Sequence, residues 1–404
     1  MAAFCHLSLL GRWRITAGLV LLLGAPFAAR VKLPKLLLGP MLLLGIIGLW
    51  HIDNTPPGRF ASSLSQSIRQ ERQHAQRLEA YHTWKADSCA FSSPRIVLVI
   101  GESFNRHHAS AYGYTLPTTP FQDARRSSGS LVFFTDVVSP WNITTRAFGQ
   151  MFSVPFPAIL RRAGYTVNFY SNQNPDVTGL RKLTGGTFIF SDKQLSEVSF
   201  SFRNTASAYF DHDFVEKVLP PSLPPVPVLD IIHLKGQHFE YEDHYPPSFA
   251  YFTLADYPAG TPDAVMHYDN ATRYNDYVLE LILQRYAGTD AVVVFVSDHG
   301  EEVFDELPLS GRSHKTPGRA EARAEYEVPM WIWCSSEYAR EHPSVALSIQ
   351  EAARRPFYTA DISHLILSLA GATGHFTSPE RDVLSPSYKC PRRIIADAVD
   401  YDSL

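Results

Sequence analysis

Apolar and polar positions change pattern along this chain. Near the N-terminus they separate into two unbroken apolar runs, 15–29 between Arg14 and Arg30, and 36–50 after Lys32 and Lys35. Each is a little short of the ~20 residues that cross a bilayer. Two in succession with basic flanks favour a membrane hairpin over core helices. A secretory signal peptide is the rival reading of the first run. Arg30, Lys32 and Lys35 crowd the connecting loop, which puts that loop in the cytoplasm and everything after Trp50 outside. Arg12 and Arg14 pull against this orientation. Next, Phe60, Leu64, Ile68, Leu78, Tyr81 and Trp84 recur at roughly helical spacing among Arg, Gln and Glu. An amphipathic helix there would lie on the membrane, against the main domain, or serve as a plain linker.

From residue 95 onward, short β-branched runs alternate with helical periodicity. Strands are expected at 95–100, 131–137, 165–170, 187–190, 226–233, 290–296 and 328–333, and helices at 144–163, 209–219, 268–286 and 359–369. Several of the strands are apolar on both faces, which calls for a parallel sheet covered by helices on each side. The Pro-rich stretch 219–228 and the tract 240–262 read as surface loops. The expected organisation is a membrane anchor (1–52), a linker helix (53–93), an α/β catalytic domain (94–390) and a C-terminal tail (391–404).

Composition narrows the picture only slightly. A chain of 404 residues holds one large domain plus appendages, and a net charge of −4 gives no reason to expect nucleic acid. Cys5, Cys89, Cys334 and Cys390 lie far apart without metal-site spacing. A Cys89–Cys390 bridge is conceivable in an oxidising compartment, but four unlinked thiols are the simpler expectation.

Open α/β sheets build their sites where the strands end. Glu102 follows the first such strand, in RIVLVIGES, and Asp298-His299-Gly300 follows another, in AVVVFVSDHGEE. An Asp-His pair offers oxygen and nitrogen ligands of the kind zinc accepts. The blander alternatives are an acid at a helix N-terminus for Glu102 and a strand-end turn for Asp298. His238, in HLKGQHF, and His314, in GRSHKTP, are further candidates, although a lone loop histidine is usually a solvated side chain. The chain has neither the CxPxR or SxPxR setting of a formylglycine sulfatase nor a GxSxG elbow. A hydroxyl beside a metal would suffice as nucleophile. Thr144 and Thr145, at an expected helix start in SPWNITTRAF, offer one, with N-capping as the ordinary alternative. Two glycosylation-type triplets, at Asn142 and Asn270, are too short a pattern to weigh.

Together these segments resemble the phosphoethanolamine transferases of the bacterial envelope, a branch of the alkaline phosphatase/sulfatase superfamily, over about residues 94–390. IGESFNRHHASAYGYTLPTTP is similar to the family's opening metal motif, and FTDVVSPWNITTRAFGQMFS to its nucleophile segment. ILRRAGYTVNFYSNQN, HLKGQHFEYEDHYPPSF, YDNATRYNDYVLELIL and VSDHGEE come next, in the family's order. The resemblance implies an alkaline-phosphatase-like α/β/α sandwich with zinc held by Glu102, Thr144, Asp298 and His299. It implies a second zinc or a phosphate site near His238 and His314, with Asn172 close to the ethanolamine phosphate. It also implies a two-step transfer from phosphatidylethanolamine, through Thr144, to lipopolysaccharide (core sugar or lipid A) or another envelope glycan, on the periplasmic side of the inner membrane. Register leaves Thr145 as the alternative nucleophile. A phosphodiesterase or phosphatase, a phosphoglycerol transferase of the same superfamily, and a non-catalytic anchored relative remain alternatives. Pro140 stands where many lipid A-directed members have cysteines, and the family's membrane portion usually has more helices than the two runs here supply.

Overall fold

A computed structural model describes residues 75–173, 192–313 and 315–404. Both N-terminal apolar runs and the expected strand at 187–190 lie outside the described residues, as does most of the linker helix, of which 75–83 is helical. Among the described residues no helix is long and apolar enough to cross a membrane. Residues 78–404 form one compact unit.

That unit is built on a seven-stranded sheet. In chain order its strands are β1 (Arg95–Gly101), β2 (Leu131–Phe134), β3 (Thr166–Ser171), β4 (Phe202–Arg203), β5 (Val228–His233), β6 (Ala291–Ser297) and β7 (Met330–Cys334). Across the sheet the order is β2-β7-β6-β1-β5-β3-β4. Five neighbouring strands, from β6 to β4, run parallel. The wholly parallel sheet expected from the sequence is corrected at β7, which runs antiparallel to both β6 and β2. Apolar periodicity carries no strand direction, so this reversal had no signature in the chain.

Helices cover both faces, as the two-sided apolar strands require. Ile96, Leu98 and Ile100 of β1 face one layer, which includes α2 (Thr144–Met151), α3 (Phe156–Ala163), α7 (Pro343–Ala352) and α8 (Ile362–Ala370). Val97 and Val99 face the other, dominated by α5 (Asp263–Tyr286) through Tyr274, Val278, Leu279, Ile282 and Tyr286. Each such buried aliphatic side chain contributes roughly 1.5–3 kcal/mol of transfer free energy. Three further helices are α1 (Pro120–Ser127), α4 (Lys193–Ser199) and α6 (Ser336–Glu341).

The single helix expected at 144–163 is two. Pro155 lacks an amide proton and disfavours helix in the residue before it, so α2 ends at Met151 and α3 restarts beyond it. The helix expected at 209–219 is a three-residue turn, Asp211–Asp213, followed by a π-turn, Phe214–Val218. The C-terminal segment, residues 391–404, carries a short hairpin. Ile394–Ile395 pairs with Val399–Asp400, and Tyr401 hydrogen-bonds the Glu327 carboxylate at 2.7 Å. Among the described residues Cys89, Cys334 and Cys390 are free thiols.

Candidate metal and nucleophile site

Strand register creates the centre of the site. Gly101 of β1 lies opposite Ser297 of β6 in the parallel pairing. The next residue on each strand, Glu102 and Asp298, therefore leaves the sheet at the same level, and His299 follows. All three are fully buried. One ligand atom from each lies within 4.8 Å of the others. His299 Nε2 is 3.2 Å from Glu102 Oε1 and 3.4 Å from Asp298 Oδ2.

Local backbone geometry holds these groups in place. Ser103 adopts the left-handed region (φ 57°), strain of the kind stored at functional sites. There its hydroxyl donates to Glu102 Oε1 at 2.9 Å and its amide to Asp298 Oδ1 at 3.3 Å. The loop after β5 presses Gly236 onto the Glu102 backbone, where a Cβ would sit 2.7 Å from the Glu102 carbonyl oxygen. Gln237 donates its amide to that carbonyl at 3.0 Å, which brings the adjacent His238 alongside.

Thr144 is the first residue of α2, but it does not cap the helix: the cap position is Ile143. Its hydroxyl instead donates to Glu102 Oε2 at 2.9 Å and lies 3.3 Å from His299 Nε2. Glu102, Thr144, Asp298 and His299, separated by up to 197 positions in sequence (299 − 102), thus meet at one point.

The charges lie close enough to act on one another. Burial pushes the Glu102 carboxyl up, but His299, His238 and Arg312 outweigh it and hold it well below its usual range. Burial and the negative charge of Glu102 push Asp298 up. His299 is pulled up by Asp298 and Glu102 against burial. Its ring nitrogens meet partners of both kinds: Nε2 lies beside the two carboxylates as well as Arg312, and Nδ1 beside a backbone carbonyl. Arg312 Nη1, a donor only, faces Nε2 at 2.9 Å, and the Gly300 carbonyl, an acceptor only, faces Nδ1 at 2.7 Å. With Nδ1 donating to the Gly300 carbonyl, a neutral ring carries its lone pair on Nε2, the atom beside Glu102, Asp298 and Thr144. A neutral imidazole with its lone pair on Nε2 is the form that binds metals. Asp298 Oδ2 is buried without a hydrogen-bond partner, which suits a cation ligand. Two carboxylates and an imidazole are donors that a divalent metal such as zinc accepts. The residues fit a metal.

The other expected residues are placed differently. His238 is partly buried, and burial pushes it down. It acts on Glu102 through its charge and lies near His244, the rings tilted with centroids 6.0 Å apart. Asn172 is fully buried, and its amide is engaged at both ends: Nδ2 donates to Asp211 at 2.8 Å and Oδ1 accepts the Ala208 amide at 2.7 Å. The next residue, Gln173, is the one that reaches the site, donating to Glu102 Oε2 at 2.7 Å. His314 lies outside the described residues.

Two further site residues escaped the sequence reading. Arg312, besides facing His299, lies 3.4 Å from the buried Glu301 carboxylate. Glu301 continues the DHGEE run, and that adjacency was the available signal. Arg312 sits in a loop of no regular pattern and had none.

The family model described as Sulfatase matches residues 94–372, which contain every described residue of this constellation. The chain belongs to the sulfatase family. Within the family it is similar to phosphoethanolamine transferase EptC of Escherichia coli O18:K1:H7, 30% identical over 347 residues, covering 78% of this chain and 58% of that protein. The chain thus spans under two thirds of the length of this relative. The crystal structure of the C-terminal periplasmic domain of EptC from Escherichia coli is 26% identical with a TM-score of 0.64, covering 80% of this chain and 97% of that domain. A zinc complex of the same domain is 28% identical with a TM-score of 0.62, covering 77% and 94%. The likeness to these structures is one of overall fold across the domain.

Proposed function

We propose that this protein transfers phosphoethanolamine from phosphatidylethanolamine to lipopolysaccharide or another envelope glycan, through a phospho-Thr144 intermediate and with zinc held by Glu102, Thr144, Asp298 and His299. The observation that carries the proposal is the Thr144 hydroxyl, 2.9 Å from Glu102 and 3.3 Å from His299, beside a buried set of metal-type ligands. Similarity to EptC supports the choice of group transferred, and the zinc complex of the EptC domain supports the metal.

Zinc bound there would supply a Lewis acid beside the hydroxyl and the phosphoryl oxygens. The chain's own residues do the rest. Glu102 Oε2 orients the Thr144 hydroxyl through its proton. Gln173 donates to the same oxygen and keeps that carboxylate from turning away. Arg312 lies close to Glu102 and Glu301, where a guanidinium can meet phosphate oxygens. In the first step the Thr144 oxygen forms a bond to phosphorus and the bond to the glycerol oxygen breaks. Diacylglycerol leaves, carrying the proton that threonine gave up. In the second step an acceptor oxygen replaces Thr144 on phosphorus, and threonine regains a proton. The apolar runs at 15–29 and 36–50 support an inner-membrane location, with the domain in the periplasm beside its lipid donor.

The test is incubation of purified full chain with phosphatidylethanolamine carrying a fluorescent acyl chain, with and without lipopolysaccharide. Fluorescent diacylglycerol and a phosphoethanolamine adduct on Thr144 by mass spectrometry are expected. Release of ethanolamine phosphate into water at the same rate with and without acceptor would make the protein a hydrolase.

A further inference from the structure

Glu325 belongs to a π-turn, Ala322–Tyr326, just before β7, and it touches none of the proposed ligands. It is fully buried, although a carboxylate is costly to remove from water unless its lone pairs are engaged. Here they are engaged by two separate loops. Oε2 accepts from the Asn142 side-chain amide at 2.5 Å, and Oε1 accepts the Ser313 backbone amide at 3.0 Å. Asn142 also donates to the Ser313 carbonyl at 2.8 Å, closing a triangle. Asn142 stands two residues before Thr144, and Ser313 stands one after Arg312. The Glu325 carbonyl in turn accepts the Gly300 amide at 2.8 Å, immediately after Asp298 and His299. Gly300 is pressed so closely on this turn that a Cβ there would lie 2.3 Å from the Ala324 carbonyl oxygen. The segment leading to Thr144 is tied to the same stretch elsewhere: Ser139 donates its amide to the Tyr326 carbonyl at 2.8 Å and its hydroxyl to the Asp298 carbonyl at 2.5 Å.

One buried residue thus joins three chain segments: its side chain ties the one that bears the nucleophile to the one that bears the arginine, and its backbone carbonyl holds the one that bears the metal-ligand pair. We propose that Glu325 is a positioning residue: a brace that fixes the Thr144 segment against the Arg312 loop and holds the hydroxyl in register with Glu102 and His299. This rests on the transferase reading above for what is being positioned, though not for the brace itself. A carboxylate suits the task because it accepts from both loops at once. The Ser313 amide lies 3.0 Å from Oε1 and 3.1 Å from Oε2, so a glutamine in either orientation would set its NH2 group against a donor, the Ser313 amide or the Asn142 amide. Misplacement of a reacting group by about an ångström costs on the order of 100-fold in rate.

The experiment compares wild type with Glu325→Gln, Asn142→Ala and the double variant, as the full chain loaded with zinc. It measures kcat and KM for release of fluorescent diacylglycerol, and hydrogen exchange of the segments around Asn142 and Ser313. Each single variant is expected to lower kcat by about 10- to 100-fold with KM within about twofold, and the double variant to lose little more, since both cut the same tie. Exchange should rise in both segments while the ends of β1 and β6 remain protected. Unchanged kcat in Glu325→Gln, or losses that multiply in the double variant, would overturn the brace. If Glu325→Gln does not fold, Asn142→Ala decides the matter by the same readouts. A wild-type protein that releases no diacylglycerol defeats the transferase reading instead, and the exchange measurements then decide the brace.

Discussion

Thr144 gives its hydroxyl proton to Glu102, a residue 42 positions earlier on a different element, rather than to its own helix. The cap position belongs to Ile143, which leaves the Thr144 hydroxyl available for the proposed attack. Thr144→Ala should therefore abolish diacylglycerol release, by about 10³-fold or more, with little change in thermal midpoint. Thr145→Ala should retain most activity. The reverse pattern, read in the same fluorescent assay, would move the nucleophile by one residue.

Asp298 Oδ2 is buried and lacks a hydrogen bond, so a cation is its expected counterpart. Protein dialysed against a strong chelator should lose activity and regain it with added zinc. Asp298→Asn should lower metal content, measured by elemental analysis, without unfolding the domain. A fully active sample proven free of zinc would remove the metal from the proposal.

Glu327 clamps the C-terminal hairpin to the body. Its carboxylate meets Arg106, His107 at 2.9 Å and the Tyr401 hydroxyl at 2.7 Å. Burial pushes it up, but His107, Arg106 and Tyr401 outweigh this and hold it at about 2, against an ordinary value of 4.5. A depressed acid stabilises the fold above its unfolded pKa and loses that contribution as pH falls towards the folded one. About 3 kcal/mol should thus disappear between pH 4.5 and 2. Denaturant titrations across that window should be steeper in pH for wild type than for Glu327→Gln. Identical slopes would show the clamp to be silent.

Gly300→Ala places a methyl group against the Ala324 carbonyl. A loss of about 1–3 kcal/mol is expected from overpacking, visible as a lowered melting temperature together with weaker metal binding. Normal stability and normal zinc content would mean that the turn yields freely.

Much of the site was legible in the sequence because it hangs from strand ends. Continuous β-branched runs announce buried strands, and a charged residue directly after one has no packing role, which singled out Glu102 and Asp298. The helix-covered sheet came from the same runs, whereas the order of the segments was legible only through the resemblance to the transferase family. Gln173, Arg312 and Glu325 were not legible. Their reach depends on where irregular loops travel in three dimensions, and nothing in local periodicity encodes that. The break at Pro155 did have a signal, Ser-Val-Pro-Phe-Pro, which the apolar periodicity on either side concealed. The two-residue strand β4 is too short to display any alternation.

The reversed strand β7 bears on how chains of this plan are best searched. A forward strand hands its functional residues over after it has crossed the sheet. β7 crosses the other way, so the stretch that borders the reaction centre is the one upstream of it, where Glu325 lies. A scan confined to the residues downstream of each strand will pass over that contribution wherever such a sheet contains an inverted member.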